Sequence, residues 1–370
     1  MNFHALKCKS QFSFILLFFT VCLYAQIPAG YYANATGKNK AELKTALYNI
    51  IHNHTQLEYY SSATSFLSTD WHPATQSAPN GYYWDMYSNN VRTTWSGMNR
   101  EHNMPKSWFG IASGQENSAP IGCDLHNLYP SDATANSAKL NYPLGEVTGT
   151  PTYTNGVVKV GNNGLIFIEG DATLKYNGSV FEPANEYKGD FARDYMYMVT
   201  CYEDYANVWQ SIGTSSMLQK NKYPVFNRWA INLLLKWSRQ DPVSEKEIVR
   251  NNAVYALQKN RNPFVDYSEF AEFIWGKFIN EAWVEGATLP EDEVKFEIKF
   301  PIVNDTLTAT LNYPEKSTYF IRGINGIILK TGKFTSEGVI QVAELKNGMY
   351  LLEVYSAIKK RYVTKFIVRH

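Results

Sequence analysis

Four cysteines in 370 residues leave little material for a disulfide-built scaffold. Cys8 and Cys22 fall within the first 25 residues, so only Cys123 and Cys201 remain, and the sequence leaves open whether they pair. No apolar run is long enough to cross a bilayer comfortably. The most apolar stretch, residues 12–24, falls short of the roughly 20 residues that a spanning helix needs. Positive charge is not in excess either: residues 26–288 hold 21 Lys plus Arg against 25 Asp plus Glu, a net charge of −4. That balance excludes a broad basic face for nucleic acid, and any polyanion must be held by a local patch or by a metal. A zinc hydrolase is disfavoured, because there is neither an HExxH helix nor a Cys/His cluster. Low-complexity tracts are also missing, and 26 Tyr and 20 Phe mark a folded, core-rich chain.

Lys7 and Lys9 precede the apolar run and Ala25 follows it as a small residue suited to cleavage, so residues 1–25 read as a signal peptide. The mature chain is then expected to leave the cytoplasm through the periplasm for the cell surface or the medium, with no stable membrane insertion. A lipid anchor at Cys22 is the alternative, although Val21 is bulky where such a signal wants a small residue. The remaining length suggests two domains, residues 26–289 and 290–370, joined at the acidic Pro290, Glu291, Asp292 and Glu293.

Leu43, Leu47, Ile50 and Ile51 recur at helical spacing and predict an amphipathic helix. Residues 60–100, rich in Ser, Thr and Asn, read as loops and short strands, and residues 156–171 as extended segments around a turn. Helical spacing returns over residues 190–207 and again around Leu233, Leu234 and Trp237. Ser244 and Glu247 form a capping-box pattern ahead of a helix with the apolar face Val249, Ala253, Ala256 and Leu257, and Pro263 follows its end. Beyond residue 289, Val294, Phe296, Ile298 and Phe300 alternate, and later β-rich runs are punctuated by Asn-Gly, which predicts a small all-β domain. The fold class is therefore α+β, a mainly helical domain followed by a β-sandwich.

Two segments concentrate chemistry. "NREHNMPKSWFG", residues 99–110, sets Glu101 beside His102, and "DLHNLYPSD", residues 124–132, brings Asp124, His126 and Asn127 to the expected start of a helix. Together they supply hard oxygen ligands and imidazoles. With them the sequence resembles the bacterial endonuclease I family, nucleases with a ββα-metal active-site core. The resemblance runs through "IPAGYYANATGKNKAELKTALYNII", "WDMYS", "EYKGDFARDYMYM" and "NRNPFVDYSEFAEFIWG" over about residues 27–276.

The resemblance implies Glu101 as a metal ligand, His102 as general base and Asn127 as the second protein ligand of Mg²⁺, or of another divalent ion such as Mn²⁺ or Ca²⁺. A carboxylate and an amide oxygen suit Mg²⁺, which keeps several waters and takes phosphate oxygens. It further implies hydrolysis of DNA, with RNA left open, to 5′-phosphate ends. Arg100, Lys106, Lys139 and Arg193 are candidate phosphate contacts, Lys139 through an N-x-x-[KR] pattern. His126 reads as an orienting residue and Asp124 as structural. The chain departs from better known members, which carry several disulfides and an arginine between the two motifs. Residues 110–122 contain no Arg or Lys.

Residues 292–370 resemble the C-terminal sorting domains of type IX secretion substrates, through "GINGIILKTGKF", "VAELKNGMYLLEVY" and "VTKFIVRH", although the usual Tyr-Pro-Asn-Pro opening is missing. The type IX machinery would then be a partner. A sandwich that binds carbohydrate or stabilises the enzyme is the alternative. For the whole protein, the competing reading is a weakly active or inactive binding or adhesion protein on a nuclease scaffold, which the acidic balance favours.

Overall fold

Apolar spacing places the first helix, α1 (Lys40–Ile51), which buries Leu43, Leu47 and Ile51. The same face carries Lys44, fully buried with its ammonium 3.0 Å from Glu203. In this computed structural model the described residues are 27–164, 176, 178–209, 217–287, 296–299, 301–311, 316–335, 337–355 and 361–370. The signal peptide, the acidic linker at 290–293, Val294, Phe300 and residues 165–171 of the extended segment lie outside them. The chain divides into two compact units between Gly286 and Ala287.

In the first unit, the stretch read as loops contains a helix, α2 (Ser62–Thr69), whose Phe66 is fully buried. Its five Ser and Thr residues hide the periodicity. A short ladder follows, β1 (Trp71–His72) on β2 (Tyr82–Tyr83). Next come β3 (Met98–His102) and β4 (Leu128–Asp132), antiparallel with Glu101 opposite Tyr129 and His102 opposite Leu128. α3 (Ala133–Lys139) begins only after β4. The Asp124 motif thus opens a turn and a strand, not a helix. The backbone N–H of His126 bonds the Asp124 side chain at 2.9 Å, and Asp132 is the real N-cap, accepting from Thr134 and Ala135.

A three-stranded antiparallel sheet, β5 (Tyr153–Thr154), β6 (Lys159–Asn162) and β7 (Ser179–Glu182), leads into α4 (Lys188–Cys201), all of whose residues are buried. α5 (Arg228–Gln240) packs on α4 with Leu233, Leu234 and Trp237 inward. α6 (Glu245–Gln258) carries the expected capping box, and the short α7 (Pro263–Asp266) and α8 (Phe270–Ile274) follow. The buried face of α6 is not the apolar one: Glu247, Arg250, Asn251, Val254 and Gln258 are buried, whereas Val249 is 45% exposed. The polar side chains have buried partners. Glu247 binds Arg193 through both oxygens, at 2.5 and 2.9 Å, Arg250 binds Asp70 at 2.7 Å, and Gln258 binds Asp124 at 2.8 Å.

In the second unit the described residues form strands and no helix. They are β8 (Phe296–Ile298), β9 (Ile302–Val303), β10 (Thr306–Leu311), β11 (Lys316–Gly323), β12 (Ile328–Thr335), β13 (Glu337–Gln341), β14 (Gly348–Tyr355) and β15 (Arg361–Val368). Their order in one sheet is β8-β10-β13-β12-β11-β14-β15-β9, antiparallel except where β9 joins β15. Alternate residues Leu307, Ala309 and Leu311 are buried with Ile321, Leu352, Val354 and Phe366 in a separate core.

Glu247 both completes the cap and pairs with buried Arg193, so two substitutions separate these roles. Ser244→Ala should cost about 1 kcal/mol, the usual worth of an N-cap. Glu247→Ala should cost about 3–5 kcal/mol, because it strands a buried guanidinium. Urea unfolding of both variants checks the order; equal losses would refute the assigned burial of the pair.

Candidate active site

The antiparallel β3–β4 pair and α3 build one wall of a cavity of about 470 Å³ lined by Tyr59, Arg100, Glu101, His102, Lys106 and Asn136, among others. Pairing of β3 with β4 fixes the strand that carries Glu101 and His102. The cap at Asp132 fixes the helix that carries Asn136 and Lys139, three residues apart and so on one face. Asp132 is itself held by Asn90 at 3.2 Å, by Arg92 at 2.5 Å and, through its N–H, by Asp85 at 3.1 Å.

Glu101 is buried, and Lys139 Nζ lies 2.5 Å from its Oε1 and 3.2 Å from the His102 carbonyl. Burial pushes the Glu101 carboxyl up, and the Lys139 ammonium opposes that rise. Lys139, expected on phosphate, is fully buried as the countercharge of Glu101. His102 is buried between Tyr59, whose ring lies parallel at 5.8 Å, and the edge of Phe109 at 6.0 Å. Its Nε2 is 2.9 Å from the Gly122 carbonyl. A carbonyl only accepts, so Nε2 carries the hydrogen and Nδ1 is left with the lone pair of a base. Burial pushes the imidazole down to about 4, with the Gly122 bond opposing, so it is neutral at ordinary pH.

Asn127 does not join them. It is fully buried, its Oδ1 accepts from Met104 N at 2.7 Å and its Nδ2 donates to Met104 O at 3.0 Å, which closes the amide on the backbone of one residue. Asn136, half-buried, lines the cavity instead. Sequence reasoning missed it, although it is the Asn of the same N-x-x-[KR] pattern that pointed to Lys139. Arg193 lies away from the cavity lining, fully buried on Glu247. Lys106 lines the cavity and pairs with Glu116, while Arg100 bonds Ser62 Oγ at 2.8 Å and Tyr60 O at 2.7 Å. Cys123 and Cys201 are both free and buried.

Asp124 and His126 stand behind the site. Asp124 accepts from His126 N, Gln258, Tyr197 and Tyr202 at 2.7–2.9 Å, which matches a structural carboxylate. His126 Nε2 reaches the Asn260 carbonyl at 3.3 Å, and burial pushes it down to about 4 against the pull of Asp124.

Comparison with known proteins identifies the family. The sequence profile of Endonuclease I matches residues 39–269. The chain belongs to the endonuclease I family. It is 34% identical to an extracellular ribonuclease of Bacillus amyloliquefaciens and 32% identical to one of Bacillus subtilis (strain 168), each over 66% of this chain and 78% of the relative. It is 27% identical to an extracellular deoxyribonuclease of Aeromonas hydrophila, over 39% of this chain and 49% of that one. Membership makes the protein a nuclease, hydrolysing phosphodiester bonds.

Endonuclease I enzymes generally depend on a divalent metal, and two places offer donors. In the cavity, Glu101 and Asn136 present a carboxylate and an amide oxygen, the hard set that suits Mg²⁺. Elsewhere His54, Asp124 and Cys201 bring ligand atoms within 4.8 Å of one another. There the acceptor sites of Asp124 are filled by four donors, His54 Nε2 is 2.8 Å from Tyr202 Oη, and burial pushes the Cys201 thiol well up. The cavity fits an ion; the second cluster is a closed hydrogen-bond network.

The two buried histidines set a pH response. Their folded values near 4 lie below the ordinary 6.5, so between those limits the unfolded chain binds protons that native His102 and His126 do not. Their own contribution to stability should therefore fall as pH drops from 6.5 to 4, by up to about 1.4 kcal/mol per pH unit for each histidine, while the carboxyls of Asp85 and Asp241, pushed by burial up to about 6 and 7, act in the opposite sense. His126→Gln, which keeps a donor for Asn260, should lessen the fall by about one proton's worth. Urea midpoints from pH 7 to 4 test this, and parallel curves for both proteins would contradict it.

Proposed function

We propose that the protein is a secreted, divalent-metal-dependent nuclease that cleaves DNA or RNA without sequence preference and leaves 5′-phosphate ends, with His102 as general base. The observation that carries this reading is a neutral imidazole with Nε2–H tied to the Gly122 carbonyl, in the same cavity as Glu101. His102 Nδ1 takes the proton of the attacking water, while the Gly122 bond and the parallel Tyr59 ring hold the imidazole in place. Lys139 favours the ionised form of the buried Glu101 against the effect of burial. Arg100 and Lys106, at the cavity, orient the substrate phosphates. A divalent ion held by Glu101 and Asn136, Mg²⁺ in the first instance and Mn²⁺ or Ca²⁺ otherwise, would neutralise charge on the phosphate and the leaving oxygen.

In this reading Asn136 replaces Asn127 as the second ligand, because the Asn127 amide is already closed on Met104. Together β3, β4 and α3 are read as the ββα-metal core. Substrate and secretion follow the relatives, named extracellular ribonucleases and an extracellular deoxyribonuclease. Among the described residues no helix is long and apolar enough to cross a membrane. The strand unit, expected as a β-sandwich and arranged as one eight-stranded sheet, is assigned to sorting by the type IX secretion machinery.

Four variants divide the roles. His102→Ala should keep ion binding and cut turnover by roughly 10² to 10⁴, the range of general-base catalysis. Glu101→Ala and Asn136→Ala should weaken ion binding as well as activity, with partial recovery at excess Mg²⁺. Asn127→Ala should lower stability by about 1–3 kcal/mol, because it leaves the Met104 peptide groups buried without partners, and should keep ion affinity. Calorimetry of ion binding and plasmid nicking provide the measurements; loss of ion affinity in Asn127→Ala but not in Asn136→Ala would return the ligand role to Asn127.

Removing residues 292–370 should leave nicking by the purified protein intact, since every cavity residue precedes them, and should trap the protein inside the cell. Release of the shortened protein into the medium would end the sorting assignment.

A further inference from the structure

Arg100 supports a group of aromatic rings beside the cavity. Its guanidinium carbon lies 5.2 Å from the ring centre of Trp95, 5.5 Å from that of Tyr59 and 6.0 Å from that of Tyr60. Two hydrogen bonds fix it there, to Ser62 Oγ and to the Tyr60 carbonyl. Both go to uncharged oxygens, so neither cancels its charge. Trp95 is packed from behind by Phe66 at 5.7 Å and Tyr83 at 5.4 Å. Tyr59 bridges to the reaction centre: it lines the cavity and lies parallel to the His102 ring. Tyr60 meets Tyr59 edge to face at 5.2 Å and is 61% exposed. A large aromatic ring is thus held open to solvent, one ring beyond the cavity.

We propose that Tyr59, Tyr60 and Arg100 form a base-stacking ledge that takes an unpaired nucleobase next to the scissile phosphate, so that the enzyme prefers single-stranded nucleic acid over duplex. This rests on the nuclease reading and adds the strandedness of its substrate. Bases within a duplex have their faces covered by their neighbours, whereas those of a single strand are free to stack on aromatic or guanidinium planes. The charge balance gives independent support. With a net of −4 over residues 26–288, little affinity can come from phosphate neutralisation, and stacking supplies affinity that charge does not. DNA and RNA share this chemistry, since every base has a π-face.

The test compares wild type with Tyr60→Ala and Tyr60→Trp on a single strand and on the duplex of the same sequence. In Tyr60→Ala the ratio of kcat/KM on single strand to that on duplex should fall by about tenfold, the scale of one base–aromatic stack, and Tyr60→Trp should restore it. A ratio unchanged in Tyr60→Ala, or an equal loss on both substrates, would overturn the ledge. Binding gives a second readout that does not need cleavage. A single-stranded oligonucleotide carrying 2-aminopurine, titrated with full-length protein in chelator, should be quenched by wild type and several-fold less by Tyr60→Ala; equal quenching would also overturn the proposal. A wild type that cleaves neither substrate would sink the nuclease reading, while the quenching would still decide the ledge.

Discussion

A buried carboxylate fixes the turn from which the site is built. Asp124 is withdrawn from water and accepts hydrogen bonds from Tyr197 of α4, from Tyr202 just beyond it, from Gln258 of α6 and from its own turn at His126 N. Burial alone would push its carboxyl up; His54, His126 and the donors more than offset this, and it lies below the usual carboxylate range. A charge removed from water is tolerated only when its acceptor sites are filled, so these elements must come together for the turn to form. Arg250 adds a clamp from α6: it binds the carbonyls of Leu125 and Leu128 at 2.7 and 3.0 Å, with its guanidinium 3.7 Å from the centre of the Tyr129 ring.

From that turn the geometry follows in steps. β4 leaves it in register with β3, which sets the positions of Glu101 and His102, and Asp132 at the end of β4 starts α3. Seven residues later Lys139 reaches back to Glu101. The pair is mutual: the ammonium opposes the rise that burial imposes on the carboxyl, and the carboxylate makes a fully buried lysine tolerable. The lysine therefore acts on the site without facing the substrate.

The sequence made the chemistry more legible than its surroundings. Glu101 and His102 stand adjacent in the chain, and strand pairing needs only to present them. Ser244 and Glu247 lie within one turn, so a local rule sufficed to find the cap. Two kinds of residue were misread. On α6, a rule that ranks apolar residues as buried chose Val249 and Leu257, yet Glu247, Arg250 and Gln258 go inward because their partners lie 54, 180 and 134 residues away in the chain. Arg193 and Lys139 were assigned to phosphate by residue type and their place in the motifs, and buried carboxylates, Glu247 and Glu101, draw them inside. For Asn127 and Asn136 the one local signal was the N-x-x-[KR] pattern that Asn136 shares with Lys139, and it says nothing of ligation. The choice depends on which amide is closed by Met104, and that contact spans 23 residues.

These withdrawn cations explain how an acidic unit can serve a polyanionic substrate. Of the four basic residues near the motifs, two are buried in ion pairs, and Lys106 at the cavity also has a carboxylate partner in Glu116. Little positive potential is left for holding substrate in its ground state. A nuclease loses no turnover by this, since binding substrate and transition state equally well does not raise kcat. In the proposed mechanism, what accelerates the reaction acts as charge develops on the phosphate and leaving oxygens: the neutral His102 imidazole already oriented by Gly122, and the hard oxygens that line the same cavity. Burying the other charges in the scaffold keeps these groups in place, so the same ion pairs that remove cations from the surface provide the rigidity on which the site depends.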